Sequence, residues 1–91
     1  MDFDLSNRRA VVTGGSAGIG AATVRALANM GAAVEFCGRT ESKVATTSSY
    51  VPTGSGSIKG HVADMSEKAS ITAFLEAVSA SGPVDILVNN V

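Results

Sequence analysis

Thr13-Gly14-Gly15-Ser16-Ala17-Gly18-Ile19-Gly20 follows the short run Arg9-Ala10-Val11-Val12-Thr13 and opens a segment of helical period. A β-branched run halted by paired glycines reads as a buried strand. Past the glycines, Ile19, Thr23, Leu27 and Met30 recur on one helical face with Ala22 and Ala26 beside them. Gly31 stands where a left-handed C-terminal cap is expected. Glycines between strand and helix meet three demands: a sharp turn, close approach of a phosphate to the backbone, and tight helix-on-sheet packing. The N-terminus of the new helix offers unpaired N–H groups and a positive dipole end to a pyrophosphate. The spacing is G-x-x-x-G-x-G, and no Gly-Lys-Ser/Thr follows, so the loop is not a P-loop. Taken alone, such a loop is also compatible with a tight turn that binds nothing.

Working outward, Ala32–Cys37 reads as a second strand ended by Gly38, and a weaker helix follows around Glu41–Thr47. Residues 48–57 hold Pro52, Gly54 and Gly56 and read as a loop. Ser57–Val62 is a third, poorer strand. Ser66 is placed to cap a helix running to about Ala80, with Ile71, Phe74, Leu75 and Val78 on one stripe. Gly82-Pro83 ends that helix, and Val84–Asn90 is a fourth strand. Strands alternating with helices are joined by crossovers, so the sheet is parallel and the connections right-handed. The fold class is α/β, a doubly wound parallel sheet in the order β-α-β-α-β-α-β.

Composition excludes several functions. Seven Lys+Arg against eight Asp+Glu give a net charge of −1, with no basic stripe for nucleic acid or an anionic membrane. One cysteine and one histidine allow neither an internal disulfide nor a Cys/His metal cage. No apolar run approaches the roughly 20 residues of a membrane span, and residues 1–9 lack the apolar core of a signal peptide. The chain therefore reads as soluble and cytoplasmic. Ten glycines against two prolines, with 4% aromatics, predict a small-residue aliphatic core.

The glycine stretch resembles the T-G-x-x-x-G-I-G cofactor motif of the short-chain dehydrogenase/reductase family. Ala63-Asp64-Met65 after the third strand and Asn89-Asn90 closing the fourth match in order; Val91 stands where that family usually has Ala of N-N-A-G. The resemblance spans essentially all 91 residues. It implies a Rossmann-type sheet in spatial order 3-2-1-4. Residues 1–91 would form the N-terminal part of an NAD(P)-binding domain, with the catalytic C-terminal part absent. By resemblance, Gly14, Gly18, Ile19 and Gly20 line the pyrophosphate and nicotinamide side, and Ser16 contacts phosphate or ribose. Asp64 would accept from the adenine amino group, the Met65 backbone would reach the ring, and Asn90 with Asn89 would border the nicotinamide ribose. The alternative for Asp64 is a turn aspartate before a Ser-capped helix.

An acidic residue at the end of the second strand would bind the ribose hydroxyls of NAD. This chain has Gly38-Arg39-Thr40 there, and Glu35 lies too early in the strand. The paired N–H donors of a guanidinium at Arg39 suit a 2′-phosphate, so NADP(H) is favoured over NAD(H). Family members that use NADP often carry a second basic residue inside the glycine motif, where this chain has Ala17. The family's catalytic Ser and Tyr-x-x-x-Lys cannot be placed: Tyr50 has Gly54 four residues on. The full-length protein would be an oxidoreductase acting on a small carbonyl or alcohol, a homo-oligomer, with this chain inactive by itself. The competing reading is a non-catalytic nucleotide-binding or partner-pairing module, its apolar Ile86-Leu87-Val88 edge docking on another chain.

Overall fold

Val11 and Val12 sit at the centre of the first strand and point to opposite faces of the sheet, which is why both are buried. A computed structural model describes residues 4–90. Its elements are β1 (Arg9–Thr13), α1 (Gly18–Asn29), β2 (Ala33–Gly38), α2 (Glu41–Ser48), β3 (Ser57–Val62), α3 (Lys68–Ala80) and β4 (Ile86–Asn89). All pairings are parallel and the order is β3-β2-β1-β4, as expected from the sequence. Val12 stands opposite Phe36 on one side and Val88 on the other, and Phe36 opposite Gly60. Val91, a residue of the fourth-strand motif, lies outside the described residues.

Alternation along the strands feeds two cores. On one face Ala10, Val12, Val34 and Phe36 meet Val24 and Ala28 of α1 and Val44 of α2. On the other, Val11 and Cys37 meet Phe74 and Val78 of α3. Phe36 is fully buried in a slot that glycines keep open. A Cβ on Gly15 would stand 2.7 Å from the Phe36 Cβ, and one on Gly60 would stand 2.8 Å from its Cζ.

α1 ends as the sequence indicates. Gly31 has φ +103°, its N–H donates to the Ala28 carbonyl at 3.0 Å, and Ala32 N–H donates to Leu27 at 3.2 Å. This is the Schellman arrangement. Its buried face is Gly20, Ala21, Val24 and Ala28; of the expected stripe through Ile19, Thr23, Leu27 and Met30, Leu27 packs partly buried against the core, while Ile19 and the flanking Ala22 and Ala26 are exposed. Where nearly every residue is small and apolar, hydrophobic period does not select a face. Close backbone approach does: a Cβ on Gly20 would lie 2.0 Å from the Gly14 carbonyl oxygen.

α3 begins at Lys68, two residues past the expected Ser66 cap, because Asp64 captures Ser66 first. Asp64 Oδ1 accepts from the Ser66 N–H at 2.9 Å and its hydroxyl at 2.7 Å. On α3, Phe74 and Val78 are buried while Leu75 is exposed.

Candidate functional site

The carboxyl ends of β1 and β4 lie side by side where the strand order reverses: the connection from β1 runs to β2 on one side, and the connection from β3 crosses to β4 on the other, the place where open α/β sheets bind ligands. Here the Thr13 hydroxyl is a junction. It donates to Asn89 Oδ1 at 2.8 Å and accepts the Asn90 N–H at 3.1 Å, so the end of β1 is tied to the end of β4. Asn90 Nδ2 reaches the Gly14 carbonyl at 3.4 Å.

The glycine loop divides its work by position. Gly14 has φ +69°, and a Cβ there would stand 2.8 Å from the Asn90 carbonyl oxygen. It makes the turn. Gly15 N–H donates to the Cys37 carbonyl at 2.9 Å, fastening the loop to β2. Ala17 is extended and supplies no side-chain cap to α1, whose first turn holds no acidic residue. The first bond into the helix is Ala21 N–H to the Ala17 carbonyl at 3.3 Å. The amides of Gly18, Ile19 and Gly20 therefore precede the helical ladder. At Gly18, with φ +58°, a Cβ would meet nothing within 4 Å, so the loop is open on that side. Ile19 is 79% exposed beside it, so it belongs to this opening and not to the core of α1.

Adjoining the loop is a cleft of about 320 Å³. Gly14 forms one wall with Asn90; Cys37, Gly38 and Arg39 come from the end of β2, and residues 63–66 from the end of β3. Of the residues singled out in the sequence, the structure brings Gly14, Arg39, Asp64, Met65 and Asn90 together on this cleft. Ser16 abuts Gly38, where a Cβ would lie 2.4 Å from its Oγ, and Gly18, Ile19 and Gly20 open α1 next door. Thr40 is the exposed N-cap of α2, outside the cleft lining.

The charges are arranged simply. Arg39 is exposed and makes no ion pair among the described residues. Asp64 is held below the ordinary carboxylate range, first by the Ser66 hydroxyl and amide and to a smaller extent by the positive charge of Arg39. Burial pushes the Cys37 thiol up, partly offset by the Gly14 amide, so it lines the cleft as a neutral group. Glu35 points under α3 and pairs with Arg9 and His61, away from the end of β2. Tyr50 bonds Asn29 at the far end of α1, so it offers no proton donor to the cleft. Among the described residues no His/Cys/Asp/Glu group could hold a metal, and no helix is long and apolar enough to cross a membrane.

Sequence reasoning missed Thr13 and Thr47. Thr13 had a signal, a hydroxyl at a strand end facing a paired-asparagine segment. Thr47, whose hydroxyl donates to the Ser16 carbonyl at 3.1 Å, had none.

Comparison with known proteins agrees with this geometry. A family model described as short chain dehydrogenase matches residues 8–91. A probable oxidoreductase of Streptomyces lividans is 44% identical over 89 residues, covering 97% of this chain and 29% of that protein. The uncharacterized oxidoreductase YvrD of Bacillus subtilis is 38% identical over 90 residues, covering 99% and 34%. The Pseudomonas aeruginosa RhlG/NADP active-site complex superposes with TM-score 0.84 at 36% identity, covering 97% and 36%. The chain thus spans about a third of the length of the curated relatives it matches.

Proposed function

Because the chain belongs to the short-chain dehydrogenase family, we propose that it is the N-terminal, cofactor-binding part of an NADP(H)-dependent oxidoreductase acting on a carbonyl or secondary alcohol. One observation carries the cofactor reading: an uncapped helix N-terminus, open at Gly18, adjoins a cleft whose β2 side ends in Arg39 with no carboxylate. The residues fit the group. Amides at Gly18, Ile19 and Gly20 suit a pyrophosphate, and Gly14 leaves its turn free of side chain. Ser16 stands between that seat and the end of β2. Arg39 and Thr40 would hold a 2′-phosphate through charge-assisted bonds. Asp64 keeps Oδ2 free of partners among the described residues, an acceptor for an adenine amino group beside the Met65 backbone. Asn90, bonded to Thr13 and Gly14, would border the nicotinamide ribose.

When bound, the dinucleotide supplies or takes up the hydride. This chain's own residues bind it and fix its orientation. The burial of Glu35 under α3 supports NADP(H), since it leaves no acid at the end of β2 to repel a 2′-phosphate. RhlG, similar in structure, is described in complex with NADP. The proposal extends to a cytoplasmic homo-oligomer whose catalytic Ser, Tyr and Lys belong to a later part of the protein.

The test is fluorescence titration of the complete gene product with NADPH and NADH. We expect tighter NADPH binding, and Arg39→Asp to weaken it about 10- to 150-fold, the loss of a charge-assisted contact worth about 1.5–3 kcal/mol. Equal NADPH affinity in both variants would make Arg39 a bystander. Binding without oxidation of NADPH by any ketone or aldehyde would favour a non-catalytic nucleotide-binding module instead.

A further inference from the structure

Helical threonines commonly return their hydroxyl to the preceding turn. Thr23 does so, donating to the Ile19 carbonyl at 2.8 Å, and Thr46 donates to Ser42 at 2.9 Å. Thr47 does not. It is 4% exposed in the last turn of α2, and its hydroxyl leaves the helix to donate to the carbonyl of Ser16, 31 residues earlier in the chain. Ser16 is pressed from the other side by β2, where a Cβ on Gly38 would lie 2.4 Å from both its Cβ and its Oγ. The preceding residue, Gly15, is bonded to the Cys37 carbonyl. The loop is thus fastened to β2 at Gly15 and to α2 at Ser16, while its far end becomes α1.

α2 starts directly after Arg39-Thr40. One helix therefore carries the basic turn at its front and the loop's anchor at its back. We infer that Thr47 is a positioning residue for dinucleotide binding: its hydroxyl locks the glycine loop to α2, so that the α1 N-terminus and the Arg39-Thr40 turn keep a fixed spacing. This rests on the dinucleotide reading above and adds to it a determinant of phosphate discrimination that touches no phosphate. A ligand that engages both seats gains from their being pre-aligned, because it does not have to order them on binding. A ligand lacking the 2′-phosphate engages the Arg39 seat weakly and gains less. Loss of the Thr47 hydroxyl leaves the partly buried Ser16 carbonyl without its donor and frees the loop to shift against α2.

The experiment is titration of NADPH and NADH on the complete gene product, for the wild type, Thr47→Val, Thr47→Ser, Arg39→Ala and the Thr47→Val/Arg39→Ala pair. The ligand-free thermal midpoint of each is measured alongside. Thr47→Val is expected to weaken NADPH binding about tenfold and NADH binding by a smaller factor, as for one lost hydrogen bond to a part-buried carbonyl. Thr47→Ser, which keeps the hydroxyl, is expected to restore the wild-type ratio of the two affinities. The double variant is expected to lose less NADPH affinity than the product of the single losses, the mark of coupled groups. A lowered midpoint in Thr47→Val with the affinity ratio unchanged would show a merely structural role and overturn the inference; so would losses that simply multiply. If Thr47→Val does not fold, Gly38→Ala, which pushes Ser16 from the β2 side, takes its place: a fallen ratio supports the lock and an unchanged ratio overturns it. A wild type that binds neither dinucleotide would sink the dinucleotide reading itself, and this inference with it.

Discussion

Glu35→Gln removes a carboxylate that β2 buries beneath α3. Glu35 is 6% exposed; its Oε2 accepts from Arg9 Nη2, and its Oε1 lies 3.0 Å from His61 Nε2. The side chain thus spans β1, β2 and β3. Arg9 carries the network into the last turn of α3 and the connection after it, donating at 3.3 Å to the carbonyl of Val78, and to those of Gly82 and, at 3.3 Å, of Pro83. Breaking a buried ion pair by removing one partner costs about 3–5 kcal/mol, because the other charge is left uncompensated. Two features reduce that here. The Arg9 side chain is 17% exposed, and it keeps its carbonyl acceptors. We therefore expect a loss of about 2–3 kcal/mol, which in urea is a drop in midpoint of about 1–2 M. The assay is urea unfolding followed by circular dichroism at neutral pH, with Arg9→Met/Glu35→Leu as the companion variant. Replacing the whole pair by apolar side chains is expected to cost about 1 kcal/mol or less, since no buried charge is stranded. A Glu35→Gln midpoint within about 0.3 M of the wild type would refute the reasoning, for it would mean that the carboxylate is solvated in the native protein.

Gly20→Ala puts a Cβ 2.0 Å from a backbone oxygen that cannot swing away, and is expected to destabilise by at least about 1–3 kcal/mol. Gly18→Ala, with open space but φ +58°, is expected to cost only about 1–2 kcal/mol; equal urea midpoints for the two would contradict the packing role of Gly20. Asp64 has a depressed pKa, so its contribution to stability is fully present above the ordinary carboxylate value of 3.8 and is lost as pH falls through the lower folded value. Ser66→Ala is expected to return the Asp64 titration, followed by NMR, toward 3.8, and no movement would assign the shift elsewhere. β4 is bonded on one side only in the four-stranded sheet, and Leu87 is 67% exposed on it. Residues 1–91 produced alone are expected to self-associate in light scattering, and Leu87→Lys to reduce this, as charged residues do on edge strands.

Much of the fold is legible because its signals are local. A β-branched run closed by paired glycines marks β1, the poorer signal of β3 still gives the bounds observed, and alternation with helices dictates a parallel sheet. The face of α1 is not legible, because Ala and Gly lie all around it and close approaches, of Gly20 to the Gly14 carbonyl and of Gly56 to the Ala28 carbonyl, fix which side packs. Ser66 failed as a cap for a related reason: two good capping groups stand two residues apart, and Asp64 takes the serine into its own turn. The polar residues that organise the site are illegible in a different way. Thr13, Glu35 and Thr47 find their partners 26 to 77 residues away, where no spacing rule reaches.

The glycine content joins these observations. With so few aromatics, the core beneath α1 and α2 is built on one large fully buried side chain, Phe36, and the sheet closes around it only where Gly15 and Gly60 leave their Cβ positions vacant. Gly15 is also a loop residue, so the contact that packs the core sets how near the loop lies to β2. That nearness brings Ser16 against Gly38, the residue before Arg39, and within reach of Thr47. A substitution at Gly15 would therefore strike the core and the site together. In this chain the distance between the proposed phosphate seat and its neighbouring cation is a packing distance, which the absence of side chains at Gly15 and Gly60 helps to fix.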